Sequence, residues 1–478
     1  MKFSRILLPT VLLALTGTIY GQQDSLLSLR EMAIRALEKN ETIRNKELAS
    51  EKASIDKNKA YMAYLPKVNL EAAYTHMNDN IAFPPDLVNL LNGAQALLIK
   101  EQLAMGSNGA INFHTPHQQV VKPDGTTLGD VIAQNSKEIP PIQDQNFFKA
   151  NANAQILLFS GLKVPNTIKA VNHQLASLNH LTQAEIATTL LDLVITYDQY
   201  AIIRHTNKTL DQTEKLLREQ QRFVEKALSS GLTIAMSRQR IELALEQLNV
   251  KRIELATAQK VVAMRLAQLT GLETAQIETL TPELKPWMVN VDVVTSEDRP
   301  EIKALNEAIL ATGYKKRAEY SEYIPKLFAF GRYEFYKDNL TLLDPEWYVG
   351  IGLRWTIFDG LAARNNAKQI KIDQQMLENQ RNQTIEMANI KLEKERLDQQ
   401  KNILLIENAN KQVVLAADVL NLSTKQFEQG LVTMNEHLAA ITEYEKTCLD
   451  QIKAIAAQRA SALELLIAGG KLTLETIQ

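Results

Sequence analysis

The sequence predicts an α+β chain in which long, antiparallel coiled-coil helices dominate and four short strands interrupt them. Three observations predict it. Glycine (18) and proline (14) are sparse in 478 residues, so long stretches run without the residues that punctuate turns. The chain also repeats itself: Phe159-Ser160-Gly161 recurs as Phe358-Asp359-Gly360, Gly231-Leu232 as Gly430-Leu431 and Gly271 as Gly470, each at an offset of 199. Finally, apolar residues keep a 4-3 spacing over two long spans and alternate with period two in four short ones.

The N-terminus reads as a signal peptide, residues 1–21. Lys2 and Arg5 precede an apolar run at 6–18, and small Gly21 precedes Gln22-Gln23. The run is shorter than the roughly 20 residues a spanning helix needs, which argues against an uncleaved anchor. No 18-residue apolar window follows, so no membrane-spanning helix is expected. The single cysteine, Cys448, forms no intramolecular disulfide, and no cysteine stands beside the signal to carry a lipid. Lys+Arg (53) and Asp+Glu (55) nearly balance, which excludes a strongly charged surface for nucleic acid.

The repeat divides the remainder into a first structural repeat at 22–271, a linker at 272–299 and a second repeat at 300–478. Tyr64-Leu65-Pro66-Lys67 resembles Tyr323-Ile324-Pro325-Lys326 at an offset of 259, so 60 extra residues lie between Lys67 and Phe159. Residues 78–146 supply them. Pro84-Pro85, Pro123-Asp124-Gly125 and Pro140-Pro141 mark this stretch as a loop, with a helix expected at 87–103. Each half therefore reads helix, strand, loop, strand, long helix, turn, long helix.

From Gly161 to Gly231 is 70 residues, as is Gly360 to Gly430. At 1.5 Å per residue such a helix extends roughly 100 Å and must pack lengthwise. Ile241, Leu245, Leu248, Leu255, Val262, Leu266 and Leu269 form one seam, with Arg252 and Gln259 at its two polar positions. Leu438, Ile441, Cys448, Ile452, Ile455, Ala462 and Leu466 form its counterpart, where Cys448 reads as a small core residue.

The clearest strand is expected at 347–358. One face carries Trp347, Val349, Ile351, Leu353, Trp355 and Ile357; the other carries Tyr348, Gly350, Gly352, Arg354 and Thr356. Segments at 150–158, 68–74 and 326–337 are its companions. The apolar face can meet a second sheet, as in a soluble sandwich, or lipid. Trp347 and Trp355, about 26 Å apart along a strand, suit the two aromatic girdles of an outer-membrane barrel and favour lipid. Four strands cannot close a barrel, and open edges are not tolerated in hydrocarbon, so a lipid-facing sheet must be shared with copies of the chain.

Taken together, these motifs resemble the TolC outer-membrane factor family. The likeness rests on Tyr64-Leu65-Pro66 and Tyr323-Ile324-Pro325 entering strands, Phe159-Ser160-Gly161 and Phe358-Asp359-Gly360 leaving them, and Gly231-Leu232-Thr233 and Gly430-Leu431-Val432 at the tips of the helix pairs. It covers the chain from about residue 25 onward, apart from 78–146. The resemblance implies a homotrimer in the outer membrane of a Gram-negative bacterium, embedded in outer-membrane lipid. Its twelve-stranded barrel takes four strands from each protomer and stands on a helical periplasmic tunnel. It also implies docking of a periplasmic adaptor (membrane fusion) protein at the tips and an inner-membrane pump that supplies the energy. Such a duct, in tripartite efflux or type I secretion, conducts substrates passively.

By the same resemblance, Glu436 stands at the pore entrance where the family has the first of two aspartate rings, and Ala439 stands where it has the second. Phe427 occupies the place of a bridging tyrosine. The seven histidines are scattered, with His114 and His117 lacking a third ligand nearby, and no phosphate loop, nucleophile elbow or CxxC pair appears. The expectation is a non-enzyme with no catalytic residue, cofactor or metal and no nucleic-acid partner. A periplasmic coiled-coil adaptor or scaffold without a barrel is the competing reading. It shares the signal and the heptads but needs no lipid-facing strands.

Overall fold

The computed structural model describes residues 28–230, 235–290, 295–337 and 345–477. The expected signal segment and the first tip motif, Gly231-Leu232-Thr233, lie outside them. In chain order the first half holds α1 (Leu29–Lys39), α2 (Glu41–Met62), β1 (Lys67–His76), α3 (Pro85–Gly106), α4 (Leu128–Asn135), β2 (Asn146–Phe159), α5 (Lys163–Ser229) and α6 (Ala235–Thr270). There follow α7 (Thr274–Glu278), α8 (Pro300–Tyr320), β3 (Lys326–Lys337), β4 (Trp347–Arg354), α9 (Ala362–Glu428) and α10 (Met434–Ala468). The chain forms two compact units. One comprises Met1–Asp56, Lys169–Gly313 and Ile370–Gln478; the other comprises Lys57–Ile168 and Tyr314–Gln369. Each unit draws on both halves of the sequence.

The first unit is a lengthwise helical packing. Its main core gathers Leu190, Leu193 and Val194 of α5, Leu266 of α6, Met32 of α1 and Leu463 of α10, all fully buried. Over 18 residues α5 is apolar enough to cross a bilayer by composition, but half of that window is buried inside the protein. The expected seams are in place. Ile241, Leu248 and Leu266 are buried, Leu245, Leu255, Val262 and Leu269 are half-buried against the core, and Cys448 is a buried free thiol. The two polar seam positions are matched from α5: Arg252 pairs with Asp211 and Glu214, at 2.5 and 2.6 Å, and Gln259 bonds Asn207 and Tyr200.

Residues of the 272–299 segment enter the same core through Leu272, Ile277, Leu280 and Trp287. Trp287 donates its backbone N–H to Gln458 at 2.8 Å, and Gln458 returns a bond to the Trp287 carbonyl at 2.6 Å. Arg459 grips Asp198 through two bonds of 2.8 Å, donates to the Lys285 carbonyl and covers the Trp287 ring at 5.4 Å. Burial raises the Asp198 carboxyl despite this partner. A buried pair of this kind is costly to break, because the survivor keeps its charge in the interior.

The second unit is organised by an antiparallel sheet in the order β1-β2-β3-β4, with β1 and β4 at its edges. β4 stops at Arg354, short of the expected 358. Arg354 pairs with Lys326, the first residue of β3, and the residue before it, Pro325, has no N–H to extend the ladder. The 78–146 stretch is more structured than a loop. α3 occupies the expected helix, and a second, unexpected helix, α4, starts on a Thr127–Asp130 capping box. Lys100 of α3 is buried and donates to the Thr115 carbonyl at 2.5 Å.

The repeated motifs meet at two corners. Tyr64 and Ser160 share a hydroxyl bond of 3.0 Å, and Ser160 Oγ accepts from the Val164 N–H at 3.2 Å. In the second half Tyr323 donates to Asp359 at 3.1 Å, and Asp359 accepts from the Ala363 N–H at 2.8 Å. Two left-handed residues complete each corner: Gly161 and Leu162 at φ 63° and 68°, Gly360 and Leu361 at 68° and 67°. The corners differ in crowding. A Cβ on Gly161 would stand 2.8 Å from the Ile324 carbonyl oxygen, whereas one on Gly360 meets nothing within 4 Å. Left-handed backbone alone costs an alanine about 1–2 kcal/mol. Gly360→Ala should therefore lower stability by about that amount and Gly161→Ala by clearly more, as read from the urea midpoints of the two purified variants.

Candidate functional site

Two surfaces carry chemistry: the faces of the sheet and the α9–α10 tip. Pairing fixes the faces. Val68, Leu70 and Tyr74 of β1 stand opposite Ala154, Ala152 and Phe148 of β2, and Ala329 and Leu327 of β3 stand opposite Ile351 and Leu353 of β4. These positions share one apolar face, and it is bare: Leu70 is 74% exposed, Val349 75% and Ile351 71%. A folded protein in water does not leave such a continuous face uncovered without a partner for it. Trp347 opens β4 on this face and is exposed. Trp355 lies just past the strand and donates its indole N–H to the Tyr323 carbonyl at 3.0 Å. The opposite face carries Asn69, Asn151, Asn153, Gln155 and an Arg332–Glu334 ion pair of 3.0 Å, with Phe330 and Phe328 lying over Gly350 and Gly352.

At the tip, α9 ends in a Schellman turn. Gly430, at φ 70°, donates to Phe427, and Leu431 donates to Gln426. Leu431 is exposed, and Thr433 then caps α10. Glu436 is the reciprocal half of that cap: its carboxylate accepts from the Thr433 N–H at 2.6 Å and hydroxyl at 2.8 Å. These bonds hold the Glu436 carboxyl below the usual carboxylate range, so it is charged at neutral pH. Gly430, Leu431, Val432 and Glu436 thus share one turn, and Ala439 is exposed further along α10.

Phe427 faces inward. It stacks on His437 with centroids 5.0 Å apart and packs with Val224, Ile241 and Met434. His437, which the sequence reading passed over, is completely buried; its Nδ1 lies 3.1 Å from Ser423 Oγ, and its Nε2 has no partner. It lies three residues after Met434 and four before Ile441, a helical core spacing that is the available signal. Among the described residues no three His, Cys, Asp or Glu side chains stand together as a metal site.

No family model matches the sequence, and no curated protein matches it either. Solved structures do. The outer membrane protein VceC from Vibrio cholerae superposes with a TM-score of 0.68 at 13% identity, over 92% of this chain and 96% of its own. The Campylobacter jejuni CmeC outer membrane channel gives 0.66 at 13%, over 93% and 86%. The open-state Neisseria gonorrhoeae MtrE outer membrane channel gives 0.63 at 14%, over 94% and 91%. The chain has the fold of these channels. Long helices and a four-stranded antiparallel sheet, read from the sequence, are what the likeness spans.

Burial holds the His437 imidazole below its ordinary range. An unfolded histidine takes up its proton near pH 6.5, so below about that pH the unfolded chain binds more protons and stability falls as pH drops towards the folded value. His437→Leu removes this contribution. Its thermal midpoint should fall less than that of the unaltered protein between about pH 7 and pH 5.

Proposed function

We propose that the chain is one protomer of a trimeric outer-membrane exit duct that passively conducts substrates delivered by an inner-membrane pump and a periplasmic adaptor. The bare apolar face of the sheet carries this reading. With β1 and β4 left as open edges, hydrocarbon is a tolerable neighbour only if edge meets edge in a closed barrel. Three copies give twelve strands, an even number within the bacterial range. Trp347 and Trp355 serve as interface anchors.

A second observation favours copies of this chain over an unrelated partner. α9 bears an exposed apolar stripe at Ile390, Leu397 and Leu404, spaced by seven, resumed at Leu415 and Leu422. α6 exposes Leu243, Val250, Ile253, Val261 and Met264. These are unfilled coiled-coil seams beside filled ones, and helices of neighbouring copies fit them. The tips at Gly231, Leu232 and Thr233 and at Gly430, Leu431 and Val432 are the proposed adaptor docking points. Glu436, in three copies, forms an acidic ring at the tunnel mouth that favours cations.

Electron microscopy of the detergent-extracted particle tests the assembly. A three-fold particle with a detergent belt at one end is expected. A belt-free particle that leaves the membrane in a high-salt wash would replace this reading with the barrel-free adaptor. The mouth is tested by Glu436→Gln, since glutamine keeps the capping box and removes the charge. The purified channel should lose cation selectivity with α10 intact by circular dichroism; unchanged selectivity would leave Glu436 as a cap alone.

A further inference from the structure

On the polar face of the sheet, three cations are gathered at one end. Lys67 begins β1, Lys326 begins β3 and Arg354 ends β4, so all three stand where the helices enter and leave the sheet. Lys326 and Arg354 are direct cross-strand partners. Like charges placed opposite each other destabilise a strand pair. The three side chains line a single cavity of about 260 Å³ together with Gln155, Leu157 and Phe328.

Their neighbours only partly offset the repulsion. Lys326 pairs with Glu322, but Glu322 is shared with Lys163. Arg354 lies over the Phe328 ring at 5.5 Å, and neither it nor Lys67 has an acidic partner among the described residues. Further along the same face the charges balance better. Arg332 is bonded to Glu334, Asn153 and Asn151 are neutral, and Glu71 is the acid of β1. At the far end Lys149 of β2 stands on this face opposite Lys337 of β3, but only at the helix-side end do three cations line one cavity.

We infer that the helix-side end of this sheet is a binding site for amphipathic organic anions, formed by Lys67, Lys326 and Arg354 with Phe328 and Leu157 as its apolar floor. The inference rests on the reading of the polar face as the lumen of a shared barrel. Three cations from each of three copies then form one collar. A bore lined by one sign of charge between low-dielectric walls concentrates counter-ions by about 10–1,000-fold. The phenyl and leucyl surfaces beside the charges favour an anion with a flat apolar body over inorganic chloride. Sulfonates and carboxylates both meet these requirements, since arginine and lysine bind either oxyanion.

The test is fluorescence anisotropy of a pyrene trisulfonate titrated with the purified particle, whose mass is measured on the same sample. Saturable binding is expected, weakened by about tenfold or more in a Lys67→Gln, Arg354→Gln double variant and unchanged by Lys122→Gln in the distant α3–α4 connection. If the double variant fails to assemble, the unaltered particle still decides. Its affinity for the trisulfonate should fall steeply with ionic strength, and a pyrene bearing a quaternary ammonium should bind about tenfold more weakly or not at all. A trimer that binds neither probe, or binds both alike, overturns the collar and leaves the duct standing. A particle that is not a trimer overturns the duct, and the collar with it.

Discussion

A strand that must become a long helix over a short connection has few ways to turn, and this chain uses the same one twice. Two left-handed residues reverse the backbone, a serine or aspartate caps the helix that follows, and a tyrosine from the preceding helical segment holds the cap in place. The strand end, the helix start and the entry of the neighbouring strand are thereby fixed in one cluster of hydrogen bonds. The sheet's register and the face it turns outward follow from these corners, because a shift of one residue would exchange the two faces.

How much of this is legible in the sequence depends on whether a residue acts locally. Gly161, Gly360 and Gly430 are needed for backbone conformations that belong to their own positions, and so the 199-residue repeat could be read from them. The seams at Ile241–Leu269 and Leu438–Leu466 were equally plain, because heptad spacing is a property of one helix. The end of β4 was not. Alternation runs on through Ile357, while the ladder stops at Arg354 for want of an N–H on Pro325, a residue of another strand's entry.

The tip shows the same limit. Glu436 is singled out only by the resemblance, whereas its capping bond to Thr433 follows the Thr-x-x-Glu pattern. Burial of His437 depends on Phe427 and Ser423 reaching it from α9, which spacing along α10 does not reveal. The exposed apolar stripe of α9 is obscured for a different reason. Lys394 and Lys401 interrupt it, and among the described residues it stays exposed. In the proposed trimer its partners are other copies.

For the proposed trimer, that bare stripe bears on the life of the chain before its copies meet. A lone protomer carries an aliphatic sheet face and two unfilled helical seams into water, each able to meet another copy correctly or to stick to it at random. The two outcomes compete, and both accelerate with concentration. The rate at which new chains reach their destination, and the time each spends there unaccompanied, therefore set the yield of finished assemblies as much as the stability of the folded protomer does.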